Sequence, residues 1–358
     1  MESYKDLIII NGRFLSQRMT GIQRFAYEIC CALQHIGVKF VLLAPKNIET
    51  SYHIDQLPIK IVGGRGSHYW EQVTLPFYIK HHYRGSVLIS LSGLTPIFYK
   101  YNILTIHDTS YLLRPRSYSW LYCKYYQLMT PLVAKRALKI ITVSQFSKRE
   151  IIEQLQIPAN KIEVIYNAVK PSLLQTRDNS KRYILSVASL VPRKNLKRLL
   201  EAYCNIDNPN FELYLVGGTH SIYAKTEINT YIGHEGIHFL GYVSDDELKI
   251  LYRNAIAYIN PSIYEGFGIP NLEALMQECP LVVSDIPAFR EVCGDAALYF
   301  DPRDVADIQT KMTEIMNNES LRMVLIKKGI KQTLLFNWEQ SAQHIQNMIK
   351  NLCIRNTK

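Results

Sequence analysis

The chain has 358 residues, 47% hydrophobic and 20% charged. That is ordinary soluble composition, long enough for about two domains with real cores, and it gives no sign of disorder. The formal net charge is +10 and unevenly placed: Lys and Arg outnumber Asp and Glu by 21 to 10 over residues 1–170, but number 20 against 21 over residues 171–358.

The apolar runs are of strand length, as in residues 38–45, and none reaches the ~18 residues of a spanning helix. The opening M-E-S-Y-K-D carries acids and no apolar h-region, so no signal peptide is expected. Seven cysteines, with Cys30 and Cys31 adjacent on a helical pattern, show neither metal nor disulfide spacing and read as buried thiols of a reducing cytoplasm.

A buried strand at residues 7–10 leads through a loop to a helix from Gly21 or Ile22, with apolar positions Ile22, Phe25, Ala26, Ile29 and Leu33. Strand, loop and helix open a doubly wound α/β domain, and Gly21 stands at a helix N-terminus that could cradle an anion. Further strands fall at 40–43, 86–90 and 103–106, the last delivering His107 and Asp108 at its C-terminal end. Strands at 139–143 and 161–165 complete the series, with a helix opening from Ser144 between them.

Between Thr109 and Arg149 eight basic residues stand with no acid, interleaved with Tyr111, Tyr118, Trp120, Tyr122, Tyr125, Tyr126 and Phe146. The segment suits an anionic partner, nucleic acid or a membrane face, with Lys135, Arg136 and Lys139 as contacts; it equally suits a solvated helical surface with its aromatics in the core.

A Pro-containing stretch to Pro171 and the polar residues 175–182 mark a domain boundary, after which the alternation restarts. Strands are expected at 183–188, 211–216, 237–240, 255–259, 281–284 and 297–300, and closing helices at 306–316, 321–331 and 338–352. Ser244 and Glu247 read as a capping box rather than as part of an acidic metal cluster.

No G-x-G-x-x-G follows the first strand, so a nicotinamide or flavin cofactor is unsupported, and neither a P-loop nor a G-x-S-x-G elbow occurs. Two stretches of the second half carry chemistry instead. Arg193-Lys194 follows a strand and precedes a helix, where a fork and a point charge would neutralise a diphosphate without a metal; the alternative is a pair of solvated surface cations. Glu265-Gly266-Phe267-Gly268-Ile269-Pro270-Asn271-Leu272-Glu273 lies between a strand and a helix. Its glycines permit close backbone approach, and Glu273, placed in the first helical turn, either complements the helix dipole or accepts hydrogen bonds from a sugar diol.

Val187 to Leu196 (V-A-S-L-V-P-R-K-N-L), the E-x₇-E stretch, Ile106-His107-Asp108, Thr142 to Ser147 (T-V-S-Q-F-S) and Phe239 to Ser244 (F-L-G-Y-V-S) together resemble the retaining glycosyltransferases of family 4. The resemblance runs in order from about Asn11 to Trp338. It implies the GT-B fold: two Rossmann-like domains facing across a cleft, the first at 1–170 plus a returning helix at 336–358, the second at 171–335. A nucleoside-diphosphate sugar would be held by the second domain, and a glycan or lipid-linked acceptor by the first.

The resemblance assigns the ribose to Glu273, the donor sugar to Glu265 and the Phe267 and Gly268 amides beside Gly266, and the diphosphate to Arg193 and Lys194. It places Gly21 over the diphosphate or acceptor, His107 near the reacting carbon, and Tyr242 and Val243 along the base, with backbone around Gly217 to Thr219 selecting it. Many members carry an arginine where this chain has Ala188-Ser189, which shifts more of the diphosphate's charge onto Arg193. Transfer would proceed with retention and without a metal or other cofactor, by front-face attack. The departing phosphate would assist deprotonation, and His107, Glu265 and Lys194 would be the catalytic groups. GDP-mannose leads among donors by analogy, ahead of UDP-hexoses and deoxythymidine-diphosphate sugars. The expected setting is cytoplasmic, peripheral on the inner face of the plasma membrane, with no nucleic acid bound. A non-catalytic nucleotide- or nucleic-acid-binding protein and a UDP-sugar epimerase of related fold are the alternatives.

Overall fold

The computed structural model describes residues 7–171, 173–178, 180–207, 209–218 and 228–355; the opening M-E-S-Y-K-D and Thr219 lie outside them. The chain divides into two compact units. One comprises Met1–Leu113, Ser119–Asn167 and Asn337–Lys358, the other Arg114–Tyr118 and Ala168–Phe336.

In the first unit, short runs of β-branched and leucine residues form seven strands. They are β1 (Ile8–Asn11), β2 (Phe40–Ala44), β3 (Ile59–Ile61), β4 (Val87–Ser90), β5 (Asn102–Thr105), β6 (Lys139–Thr142) and β7 (Ile162–Val164). They pair in parallel in the order β3-β2-β1-β4-β5-β6-β7, with Ile9 opposite Val41 on one side and Leu88 on the other. The inner strands β1, β4 and β5 are buried along their whole length, as a parallel sheet covered on both faces requires.

The helices of this unit are α1 (Gly21–His35), α2 (Leu75–His82), α3 (Ser110–Leu113), α4 (Trp120–Arg136) and α5 (Gln145–Leu155), joined by the closing helix Trp338–Arg355. Phe25, Ala26, Ile29 and Leu33 of α1 face the core as their 3.6-residue spacing predicts, but Ile22 at its start is exposed. The closing helix lies against α1, buries Ala342, Ile345 and Met348, and donates a hydrogen bond from Ser341 Oγ to the Tyr166 carbonyl at 2.8 Å.

The second unit holds β8 (Tyr183–Val187), β9 (Glu212–Val216), β10 (Ile237–Gly241), β11 (Ala257–Asn260), β12 (Leu281–Ser284) and β13 (Ala297–Phe300), all parallel, in the order β10-β9-β8-β11-β12-β13. Its helices are α6 (Leu196–Cys204), α7 (Asp245–Asn254), α8 (Ile269–Met276), α9 (Pro287–Cys293), α10 (Val305–Asn317) and α11 (Glu319–Thr333). Leu199, Leu200, Leu213, Ile259, Val282, Ile308 and Met312 are among the fully buried residues of its core. The capping box opens α7: Glu247 N donates to Ser244 Oγ and Ser244 N donates to Glu247 Oε2.

The thiols depart from the sequence reading in part. Cys30, Cys123, Cys279 and Cys293 are buried, Cys31 is half-buried and Cys204 is exposed, because Cys204 ends α6 on its solvent side.

Both sheets reverse strand order at an inner pair, between β1 and β4 in the first unit and between β8 and β11 in the second. The crevice outside the carboxyl ends of such a pair is where open α/β sheets bind ligands.

Candidate functional site

After β8 the chain makes a single 3-10 turn, Pro192–Lys194, and then a left-handed residue, Asn195, with φ 57°. Asparagine tolerates that conformation, and its side chain here ties three segments together. Asn195 Nδ2 donates to the carbonyls of Pro261 at 3.0 Å and Pro302 at 2.7 Å, while Arg198 Nη1 donates to Asn195 Oδ1 at 2.8 Å. Ile263 N donates to the Arg193 carbonyl at 2.9 Å. The turn that carries the two cations is thereby fixed to the end of β11.

The cations meet one carboxylate. Arg193 Nη1 lies 3.0 Å from Glu265 Oε2, and Lys194 Nζ donates to Glu265 Oε1. Burial alone would push the Glu265 carboxyl up; the Lys194 ammonium and the Arg193 guanidinium outweigh it and hold the group at about 2. Glu265 is therefore ionised at neutral pH, and the three side chains together carry one net positive charge at a helix start. The sequence reading treated the cations and Glu265 as separate contacts, whereas they form one ion cluster.

The loop after Glu265 is held by a buried amide network. Asn260 Nδ2 donates to Asn271 Oδ1 at 2.8 Å, Ser262 Oγ donates to Asn260 Oδ1 at 2.7 Å, and Ser284 Oγ donates to the Asn260 carbonyl at 3.2 Å. Gly268 has φ 98°, and a Cβ there would lie 2.6 Å from Phe289 Cε1, so only glycine fits. Phe267 is buried with its ring edge-on to Phe336 at 5.6 Å, so its side chain anchors the loop and only its backbone can face a ligand.

Glu273 is the fifth residue of α8, not part of its first turn as the sequence suggested, because the helix begins at Ile269 and Pro270 is its second residue. The dipole explanation weakens accordingly, since that effect fades beyond the first turn. Its carboxylate is half-buried and accepts a hydrogen bond from Tyr252 Oη at 3.2 Å. Beneath it the Tyr258 hydroxyl is buried with no hydrogen-bond partner among the described residues. Burial first, then the charges of Glu273 and Glu265, push that phenol well above its usual range.

Tyr242 and Val243 follow β10. The Tyr242 ring is exposed and stands over Gly218, where an added Cβ would sit 2.5 Å from Tyr242 Oη. Gly21 and His107 belong to the first unit. Gly21 is the first, exposed residue of α1, whose initial turn contains no acid. His107 Nε2 lies 3.0 Å from the Leu91 carbonyl, which fixes the proton on Nε2 and leaves Nδ1 as the acceptor, and its ring meets Phe25 of α1 edge-on at 5.1 Å. Burial lowers its pKa against the opposing pull of Leu91 and Asp108, so the ring is neutral near pH 7.

Asn195, Asn260, Asn271, Tyr252 and Tyr258 were not anticipated from the sequence, although an asparagine closing a buried strand, as Asn260 does, is an available signal. Among the described residues, no group of three or more His, Cys, Asp or Glu is placed to hold a metal ion.

Two Rossmann-like units in one chain, each reversing its strand order at an inner pair, define the GT-B class. The solved structure of sucrose-phosphate synthase from Thermosynechococcus elongatus matches over 97% of this chain and 98% of its own, with a TM-score of 0.77 at 17% identity. That of WaaG, a glycosyltransferase involved in lipopolysaccharide biosynthesis, matches over 96% and 99%, with a TM-score of 0.74 at 14% identity.

Residues 175–332 match the family model "Glycosyl transferases group 1", and residues 19–173 match "Glycosyltransferase Family 4". The O-antigen chain mannosyltransferase B of Escherichia coli is 31% identical over 269 residues, 70% of each chain. The O-antigen chain mannosyltransferase RfbU of Salmonella typhimurium is 34% identical over 217 residues, 59% of this chain and 60% of that one. The chain belongs to the group 1 glycosyltransferases, and it is a glycosyltransferase of GT-B fold.

Proposed function

We propose that the enzyme transfers a hexose, mannose first among candidates, from a nucleoside-diphosphate sugar such as GDP-mannose to a polysaccharide-precursor or lipid-linked acceptor, with retention and without a metal. The observation that carries this reading is the Arg193–Glu265–Lys194 cluster at the β8/β11 switch point, beside the start of α8. Expulsion of a nucleoside diphosphate from an oxocarbenium-like transition state concentrates negative charge on the leaving phosphate. A net positive cluster already ordered before the donor arrives stabilises that charge with little reorganisation.

In this scheme Arg193 and Lys194 take the diphosphate, together with the Gly266 to Gly268 backbone. Glu265 holds both cations in place and turns its remaining lone pairs to the donor sugar. Glu273, backed by Tyr252, accepts from the ribose hydroxyls, and the exposed Tyr242 ring lies along the base with Val243. Neutral His107 serves as a sugar contact, and Gly21 as a backbone contact, on the strength of the family resemblance. The names of the two bacterial relatives favour mannose as the sugar. A thermal-shift screen of GDP-mannose, UDP-glucose and deoxythymidine-diphosphate glucose tests the donor. A bound donor at ~100 times its dissociation constant stabilises by about 2.7 kcal/mol, and no shift with any of the three would sink the reading.

The membrane part of the proposal rests on α4. Among the described residues no helix is long and apolar enough to cross a membrane. The outer face of α4 nevertheless exposes Leu121, Leu128 and Leu132 together with Lys124 and Lys135, and Arg136 lies over the 86% exposed ring of Phe98 at 5.9 Å. Apolar side chains flanked by cations favour an anionic lipid surface. Lys139 is committed to Glu163 Oε1 at 2.6 Å, so charge reversal belongs at Lys124, Lys135 and Arg136. Flotation with phosphatidylglycerol liposomes at low salt should carry the wild type and leave that triple variant behind; equal flotation would remove the membrane from the account.

A further inference from the structure

The switch point of the first unit carries a second built cluster. Asn11 ends β1 and Ser90 ends β4, and Asn11 Nδ2 donates both to Ser90 Oγ at 3.1 Å and to Glu71 Oε1 at 2.9 Å. Arg13 Nη1 lies 2.8 Å from Glu71 Oε2, and its Nη2 lies 3.5 Å from His68 Nε2. His68 Nδ1 in turn lies 3.2 Å from Tyr125 Oη, the two rings meeting at 4.9 Å. Gly12 lets the chain between Asn11 and Arg13 lie close to β2, since a Cβ there would be 2.6 Å from the Leu43 carbonyl.

As a stability device this cluster is poor. Burying an ion pair costs desolvation that an apolar pair of the same volume avoids. It is also incompletely used: a guanidinium offers five N–H donors, and Arg13 Nε is buried with no partner among the described residues. Around the pair stand Tyr122 and Tyr126, stacked at 4.3 Å, and Tyr125, edge-on to Tyr126 at 5.4 Å.

Charge selects the ligand class. Glu71 pairs Arg13 one to one, and burial together with Arg13 lowers the His68 pKa, so the imidazole adds no charge near pH 7. A diphosphate meets a single, already paired cation here, against two cations to one carboxylate at Arg193 and Lys194. A polyol fits better. Each of its hydroxyls can accept from a guanidinium and donate to a phenol oxygen, while its C–H face covers tyrosine rings. Sites of this composition, largely aromatic with a few oriented polar groups, are typical of small uncharged ligands.

We propose that Arg13, His68 and Tyr125 form a pyranose-binding subsite for the terminal sugar of the acceptor, with Glu71 and Asn11 as positioning residues that aim the Arg13 fork. The assignment of this sugar to the acceptor rests on the proposed glycosyl transfer. The subsite itself rests on the geometry of the first unit alone.

Saturation-transfer NMR on the full chain tests it, with methyl α-mannopyranoside, methyl α-galactopyranoside and methyl N-acetyl-α-glucosaminide as probes and GDP binding as a parallel control. The wild type should receive saturation from at least one glycoside at millimolar concentration. Arg13→Lys, which keeps the charge and loses the fork, should weaken that glycoside about tenfold, and Tyr125→Phe about threefold. Glu71→Gln should weaken it as Arg13→Lys does, and GDP affinity should stay unchanged in all three. If Arg13→Lys does not fold, the half-exposed Tyr125 decides, because losing its hydroxyl leaves the ring in place. Absence of any glycoside signal from the wild type, or unchanged affinity in the folded variants, would overturn the subsite. Glycoside binding without any nucleotide binding would leave the subsite standing and remove the donor reading instead.

Discussion

The two switch points bury one carboxylate each, and the two behave oppositely. Glu265 is held at about 2 because two cations, Lys194 and Arg193, outweigh the effect of burial. Glu71 is raised, because burial exceeds what Arg13 and the Asn11 amide return. One additional cation reverses the sign. It also sets two cations against one carboxylate in the second unit's cluster and one against one in the first's, so one crevice is matched to an anion and the other to an uncharged, hydroxyl-rich ligand.

Removing the charge of Glu265 should break this contrast most severely. Glu265→Gln leaves Arg193 and Lys194 without their counter-ion in a largely buried place, a change that typically costs about 3–5 kcal/mol. For a unit of this size that lowers the unfolding midpoint by roughly 10 °C in a thermal melt. A midpoint within a degree of wild type would mean that the cluster is held by solvent rather than by Glu265.

Lys194→Ala and Glu273→Ala should each lower kcat/KM by about 1.5–3 kcal/mol, roughly 10- to 150-fold, the scale of a hydrogen bond to a charged group. Unchanged turnover in both would detach the donor from the β8/β11 crevice. Gly268→Ala should destabilise by about 1–3 kcal/mol, because the new methyl meets Phe289 and the positive φ is strained. Chemical denaturation reads that loss directly, and a neutral result would show that the loop can rearrange.

The mildest effect is on the pH dependence of stability. The folded-state pKa of Glu265 is depressed, so its contribution is present above the unfolded value of about 4.3 and disappears as pH falls toward about 2. For the raised Glu71 the sign is reversed: its contribution is complete below the unfolded value and disappears as pH rises through the folded one. Melts from pH 6 to pH 2.5 should therefore show a shallower acid loss in Glu265→Gln and a steeper one in Glu71→Gln than in wild type. Identical slopes in the two variants would contradict the opposed shifts.

Local patterns made most of the fold legible. Hydrophobic runs of four or five residues gave the inner strands, and 3.6-residue spacing marked α1, where Ile22 alone departs from the buried face. Strand β3 escaped notice, since three residues with two exposed at a sheet edge carry little signal. Contacts between residues far apart in the chain were not legible at all. Glu265 joins Arg193 across 72 positions and Glu71 joins Asn11 across 60, and no spacing rule brings such pairs together. The misplacement of Glu273 has a local cause. With Pro270 as the first helical residue Glu273 would be the fourth, inside the first turn; the helix instead begins one residue earlier, at Ile269, and Glu273 becomes the fifth.

Isothermal titration of GDP-mannose into the wild type, Lys194→Ala and Arg13→Lys puts the contrast between the two crevices to its most direct test. The account predicts that Lys194→Ala binds at least tenfold more weakly while Arg13→Lys binds as the wild type does. Equal affinity in the wild type and Lys194→Ala, or a loss confined to Arg13→Lys, would contradict it.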